Sequence, residues 1–114
     1  MKSITIRAIF FQEGSWLVAQ CLEFDIAAQA MSVEELKHEV ERTLLLHLQA
    51  SEESGREPFL GLPPAPRSYW EMYERAHVAV EANTIALAGD HPALPNVSPA
   101  FKAVDALAYS TQQI

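Results

Sequence analysis

The chain has 114 residues and a formal net charge of −7, with 49% hydrophobic and 20% charged residues. That balance supports one folded core with an appendage and excludes a disordered acidic tail as the whole molecule. Residues 1–54 carry nine acids against four bases and residues 55–114 six against four, so neither half offers the clustered Lys and Arg that direct DNA or RNA binding requires.

Residues 3–12 alternate, with Ile4, Ile6, Ala8 and Phe10 on one side and Thr5, Arg7, Ile9 and Phe11 on the other, which predicts a strand. Glu13-Gly14-Ser15 is a polar turn, and Trp16 to Leu22 resumes a β-rich run, so the two segments read as a hairpin. Ile9, Phe11, Leu17, Ala19 and Cys21 leave the second face partly apolar too, and both faces need covering. A third short strand is expected over residues 25–30.

Ser32-Val33-Glu34-Glu35 has the spacing of a capping box, in which Ser32 accepts from the Glu35 N–H and Glu35 reaches back, with Met31 and Leu36 placed for a hydrophobic staple. Val33, Leu36, Val40, Leu44 and Leu48 then recur at helical spacing until Ser54-Gly55, which predicts an amphipathic helix lying on the sheet. The segment from Glu57 to Pro66 holds four prolines and reads as an ordered connector, because Phe59, Leu60 and Leu62 call for burial. Ser68-Tyr69-Trp70-Glu71 repeats the capping pattern, and Met72, Tyr73, Ala76 and Val80 extend it into a helix running into the eighties, with Gly89 as its latest end. After a loop over residues 90–96, Ser98-Pro99 reads as the start of a short third helix with Phe101, Val104, Leu107 and Ala108 on one face.

The order of these features over residues 4–36 resembles the N-terminal domain of HicB-type antitoxins. It is a hairpin whose second strand is Trp16-Leu17-Val18-Ala19-Gln20-Cys21-Leu22-Glu23, a short strand, then the Ser32-to-Glu35-capped helix. The resemblance covers the first half of the chain. It implies a truncated ribonuclease H-like fold without that fold's active site, and a role in covering a small basic RNA-cleaving toxin of the HicA type. Many such proteins carry a C-terminal helix-turn-helix or ribbon-helix-helix that binds operator DNA. Here the tail is acidic, interrupted by prolines and aromatic, and it has no basic recognition helix.

The residues suggest little chemistry. A two-metal nuclease site needs several clustered carboxylates, whereas the strands offer Glu23 and Asp25 near their ends, and Glu34 and Glu35 are accounted for by the helix start. His38, His47, His77 and His91 have no zinc-ligand spacing with one another or with Cys21. That single cysteine cannot form an internal disulfide and reads as a small buried hydrophobe. Two groups are candidate partner-binding residues. Glu39, Glu41, Glu52 and Glu53 form either a solvated helix face or a surface for a basic partner. Trp70 and Tyr73, with Met72 and Phe59, either dock the C-terminal part onto the domain or present an interface patch.

The expected fold is therefore α+β: an antiparallel three-stranded sheet with a packed helix, truncated ribonuclease H-like, plus a C-terminal helical extension. The expected organisation is a HicB-like domain at 1–55, a Pro-rich connector at 56–67 and the extension at 68–114. The expected function is non-catalytic: an antitoxin-type protein, without cofactor or metal, that neutralises a HicA-like toxin, with a stand-alone homo-oligomer as the alternative. At least a dimer is expected, because the sheet has apolar residues on both faces, and neither direct nucleic-acid binding nor a membrane is implied. Residues 1–7 read as a strand and not as the apolar core of a signal peptide, which makes the cytoplasm the expected location.

Overall fold

The alternation that begins at Ile4 makes one long strand, β1 (Ser3–Glu13), and both of its faces are used. In the computed structural model, which describes residues 3–82 and 96–105, Ile6, Ala8 and Phe10 point into one core and Ile9 into a second. Gly14, at φ 63°, turns the chain into β2 (Trp16–Cys21), which pairs antiparallel with β1 from Ala8 opposite Cys21 to Glu13 opposite Trp16. A left-handed conformation in so tight a turn costs a glycine little, because it has no Cβ to clash. The strand β3 (Ala27–Ala30) continues the meander, from Leu17 opposite Ala30 to Gln20 opposite Ala27.

The helix α1 spans Val33–Glu53, with Ser32 at its N-cap accepting the Glu35 N–H at 3.2 Å. Its stripe of Leu36, Val40, Leu44 and Leu48 is buried against the inward residues of the sheet. Leu36 is buried in the core, while Met31, which the spacing places for a staple, is 61% exposed. The connector is ordered. Phe59 stacks on Phe24 with ring centroids 4.4 Å apart, and Leu62 packs partly against the same core, while Leu60 faces solvent. Phe59 holds a positive φ of 62°. That conformation costs a non-glycine residue roughly 1–2 kcal/mol, which burying the phenylalanine, at about 1.5–3 kcal/mol, offsets.

The C-terminal half departs from expectation. A helix α2 occupies Arg67–Arg75, then the chain becomes extended at Ala76 and forms β4 (Val78–Val80), and residues 96–103 form β5 (Asn96–Ala103). The sheet has five strands in the order β3-β2-β1-β5-β4, with β5 parallel to β1 over eight positions and β4 antiparallel to β5. The expected antiparallel three-stranded sheet with a helical extension is thus replaced by a five-stranded mixed sheet with two helices; the α+β class stands. The helix from residue 69 stops at Arg75 because Ala76 is buried against the second face and Val78 and Val80, β-branched and alternating, suit pairing with β5. Ser68 is not its cap either. Pro66 takes the N-cap position without a side-chain hydrogen bond, and Glu71 instead pairs with Arg67 at 3.3 Å.

The segment read as a third helix is β5. Ser98-Pro99 mimics a helix start, yet Val97, Phe101 and Ala103 complete the face of the sheet that α1 covers, and Phe101 meets Phe10 with centroids 5.4 Å apart. The ladder with β4 spans only residues 101–103 of β5, so Pro99 interrupts no pairing on that side, where a strand tolerates proline. Leu107, Ala108 and most of the loop over residues 90–96 lie outside the described residues. Phe101→Ala is expected to destabilise the fold by about 3–5 kcal/mol, as measured by urea denaturation. A loss under about 1 kcal/mol would mean that β5 is not part of the core.

Candidate functional site

The two faces of the sheet separate the candidate residues. Glu39, Glu41, Glu52 and Glu53 lie on α1, over one face, whereas Trp70 and Tyr73 lie on α2, against the other. The structure therefore does not join them into one site.

On the α2 side, alternation of β1 and β5 presents Arg7, Ile9, Phe11, Ala100 and Lys102. Ile9 is buried with Leu22, Ala65 and Ala76, and Tyr69, Trp70, Met72 and Tyr73 pack around them. The connector reaches this face through the Ala65 N–H, which donates to the Leu22 carbonyl at 2.9 Å. The polar groups satisfy one another. Glu23 accepts from the Arg7 backbone N–H at 2.6 Å and from Arg7 Nε at 2.7 Å, and the Arg7 guanidinium lies 4.9 Å from the Trp70 ring centroid. Trp70 Nε1 donates to the Ala65 carbonyl at 3.2 Å, Tyr73 Oη donates to the Ala100 carbonyl at 2.8 Å, and Lys102 Nζ sits 4.5 Å from the Tyr73 centroid. Burial pushes the Tyr73 phenol above its usual value, Arg7 opposes this and Glu23 adds to it, so at neutral pH the ring keeps its proton and acts as a donor. Trp70 and Tyr73 thus fasten α2 to the sheet. Their partners Arg7 and Lys102 were not legible as such, because Arg7 meets Trp70 only once α2 docks on the sheet and Lys102 meets Tyr73 only through the placement of β5.

The carboxylates near the strand ends are spoken for: Glu23 by Arg7, and Asp25 by Gln20 Nε2 at 2.8 Å. Among the described residues no three His, Cys, Asp or Glu side chains are grouped so as to hold a metal ion. His38 is exposed, His47 lies 6.3 Å from the Phe59 ring, and His77 bonds Asp105 at 3.0 Å; His91 falls outside the described residues. The hydrogen bonds from the His77 side chain and then from its backbone hold the Asp105 carboxyl below its ordinary value. That interaction is therefore present above the ordinary carboxylate range and lost as pH falls through the lowered value.

On the α1 side the first two helical turns border two clefts. One, of about 630 Å³, runs between Glu34, Lys37 and Glu41 on the helix and Val80 and Phe101 on the strands, with Glu81 just beyond β4. The other, of about 320 Å³, lies at the β3 edge between Trp16, Gln29 and Met31 and the helix residues Glu35, His38 and Glu39. Trp16 is 43% and Met31 61% exposed, and the ladder that pairs Leu17 with Ala30 places Trp16 opposite Met31 one step further. These two apolar residues were not singled out in the sequence, where Trp16 reads as strand and Met31 as a staple. Along the helix, Glu39 pairs with Arg42 at 3.8 Å, Glu41 borders the larger cleft, and Glu52 and Glu53 are exposed in the last turn. Leu46 stands 54% exposed in the same helix.

Cys21 is buried, and burial, with a smaller contribution from Glu23, pushes its thiol up to about 12. It is expected to resist a thiol reagent at pH 8 until the protein is unfolded; rapid native labelling would contradict this placement. Tyr73→Phe is expected to cost about 1 kcal/mol by removing the Oη hydrogen bond to the Ala100 carbonyl, read by urea denaturation, and no change would mean that water replaces the hydroxyl.

No helix of the described residues is long and apolar enough to cross a membrane. Comparison with protein-family models, with curated proteins and with solved structures gives no significant match.

Proposed function

We propose that the chain is a non-catalytic cytoplasmic binding module of the HicB type, which captures and neutralises a small basic RNA-cleaving toxin similar to HicA. The observation that carries this reading is the charge of α1. Glu34, Glu35, Glu39, Glu41, Glu52 and Glu53 stand against Lys37 and Arg42, and both cations are engaged within the helix, by Glu34 at 3.3 Å and by Glu39 at 3.8 Å. A face so biased attracts a basic partner and speeds its encounter, and the exposed Leu46 gives the encounter an apolar contact. The same reading leaves nucleic acid to the partner. Arg7 and Arg67 are paired with carboxylates, Lys102 sits over Tyr73, and no basic stripe crosses the described surface. A stand-alone homo-oligomer is the alternative reading; part of the second sheet face, around Ile9, is packed by α2, whereas the β3 edge is at the end of the sheet.

Co-expression with a HicA-like toxin tests the proposal. The chain is expected to restore growth and to co-purify with the toxin, with an association rate that falls as salt rises. Reversing two charges with Glu39→Lys and Glu41→Lys is expected to slow association about tenfold or more at low ionic strength, while circular dichroism stays unchanged. Failure to form a complex, or capture indifferent both to salt and to the reversals, would overturn it.

A further inference from the structure

Among the described residues, the edge strand β3 pairs with β2 on one side only. Exposed strand edges are ordinarily guarded by lysine, proline, a bulge or a covering element. Ala27-Ala28-Gln29-Ala30 carries no charge and no proline, and its pairing with β2 runs without a bulge through all four residues. At its C-terminal end the edge opens into the 320 Å³ cleft, where Trp16 and Met31 supply exposed apolar surface and, beside His38, Glu35 and Glu39 supply negative charge, Glu39 with Arg42 3.8 Å away on the helix. An unguarded ladder, an apolar seat and two carboxylates coincide within one strand length.

We propose that the β3 edge accepts an extended segment of a basic partner chain as a sixth strand, with one apolar side chain seated between Trp16 and Met31 and a Lys or Arg against Glu35 and Glu39. This deepens the protein-binding reading by assigning it a mode, β-strand addition, in which backbone hydrogen bonds supply affinity and the cleft supplies selectivity. Charge decides the occupant. A second copy pairing edge to edge would bring together two chains that each carry −7, with their carboxylates, and like net charges oppose association. A cationic segment neutralises them.

The probe is a blocked seven-residue peptide, RKVLVKR, titrated into the full-length protein and followed by amide NMR. Binding is expected to shift the amides of residues 27–31 and to weaken with salt. Methylating the backbone nitrogens at only the odd or only the even positions of the peptide leaves its charge intact and blocks donation along one edge. One of these two peptides is expected to lose affinity about tenfold or more, as two or three hydrogen bonds disappear, and the other to retain it. Met31→Lys and Trp16→Ala, at exposed positions that leave the core untouched, are each expected to weaken binding about tenfold.

Three results would overturn strand addition: no binding at millimolar peptide, equal binding of both methylated peptides, or self-association of the protein through residues 27–30 that excludes the peptide. Peptide failure alongside toxin capture removes only the pairing mode, whereas peptide pairing without toxin capture removes only the antitoxin reading.

Discussion

Everything described here depends on β1 being flanked on both sides and covered on both faces. Its even residues Ile6, Ala8 and Phe10 meet α1 and the strands beside it, its odd residue Ile9 meets α2, and β2 and β5 occupy its two edges. A strand in that position is apolar on both faces where both are covered, which is the pattern residues 8–11 carry, whereas Thr5 and Arg7 earlier in the strand are exposed. The interaction that closes the arrangement is the parallel ladder with β5, running from Ser3 opposite Asn96 to Phe10 opposite Ala103. Parallel neighbours cannot be joined by a tight turn, so the chain between them must travel, and on the way it builds α1, the connector, α2 and β4.

The central strand also explains why the surface divides as it does. Because α2 and the connector are committed to the second face, Trp70 and Tyr73 are held by Arg7, Lys102 and two backbone carbonyls and serve cohesion. The first face is covered by α1, whose outer side is left to solvent with an excess of carboxylates. Among the described residues, the surfaces offered to the proposed partner are that outer side and the β3 edge next to it, where apolar and acidic groups adjoin. The proposed capture of a basic protein would need no movement of the fold, since both surfaces are formed by elements already anchored in the core.

The first half of the fold was legible because its signals are local. The alternation of β1, the Gly14 turn and the Ser32 cap each act within a few residues, and the periodicity of Leu36, Val40, Leu44 and Leu48 is long enough to exclude a strand. In the second half, local and distant preferences conflict. Ser98-Pro99 has helix-start chemistry, yet Val97, Phe101 and Ala103 gain more from completing the core beside β1 than a short helix could offer. At Ala76 and Val80 a helical spacing coincides by chance with a turn into β4, and only the β-branched pair Val78 and Val80 hints at it. Of the candidate site, the acidic helix could be read directly. The Trp16 and Met31 cleft could not, because their proximity depends on the β2–β3 register and their exposure on how α1 leaves the end of β3.

The central claim, that β1 and β5 form one cooperative ladder at the heart of the molecule, is tested most directly by native-state hydrogen exchange. The amides of Ile6, Ala8 and Phe10 in β1 and those of Ala100, Lys102 and Val104 along β5, which face one another across the parallel ladder, are expected to exchange at one common, slowest rate that tracks global unfolding. Rapid exchange of the β5 amides, with β1 and β2 still protected, would contradict the account and reduce the fold to its N-terminal hairpin, β3 and α1.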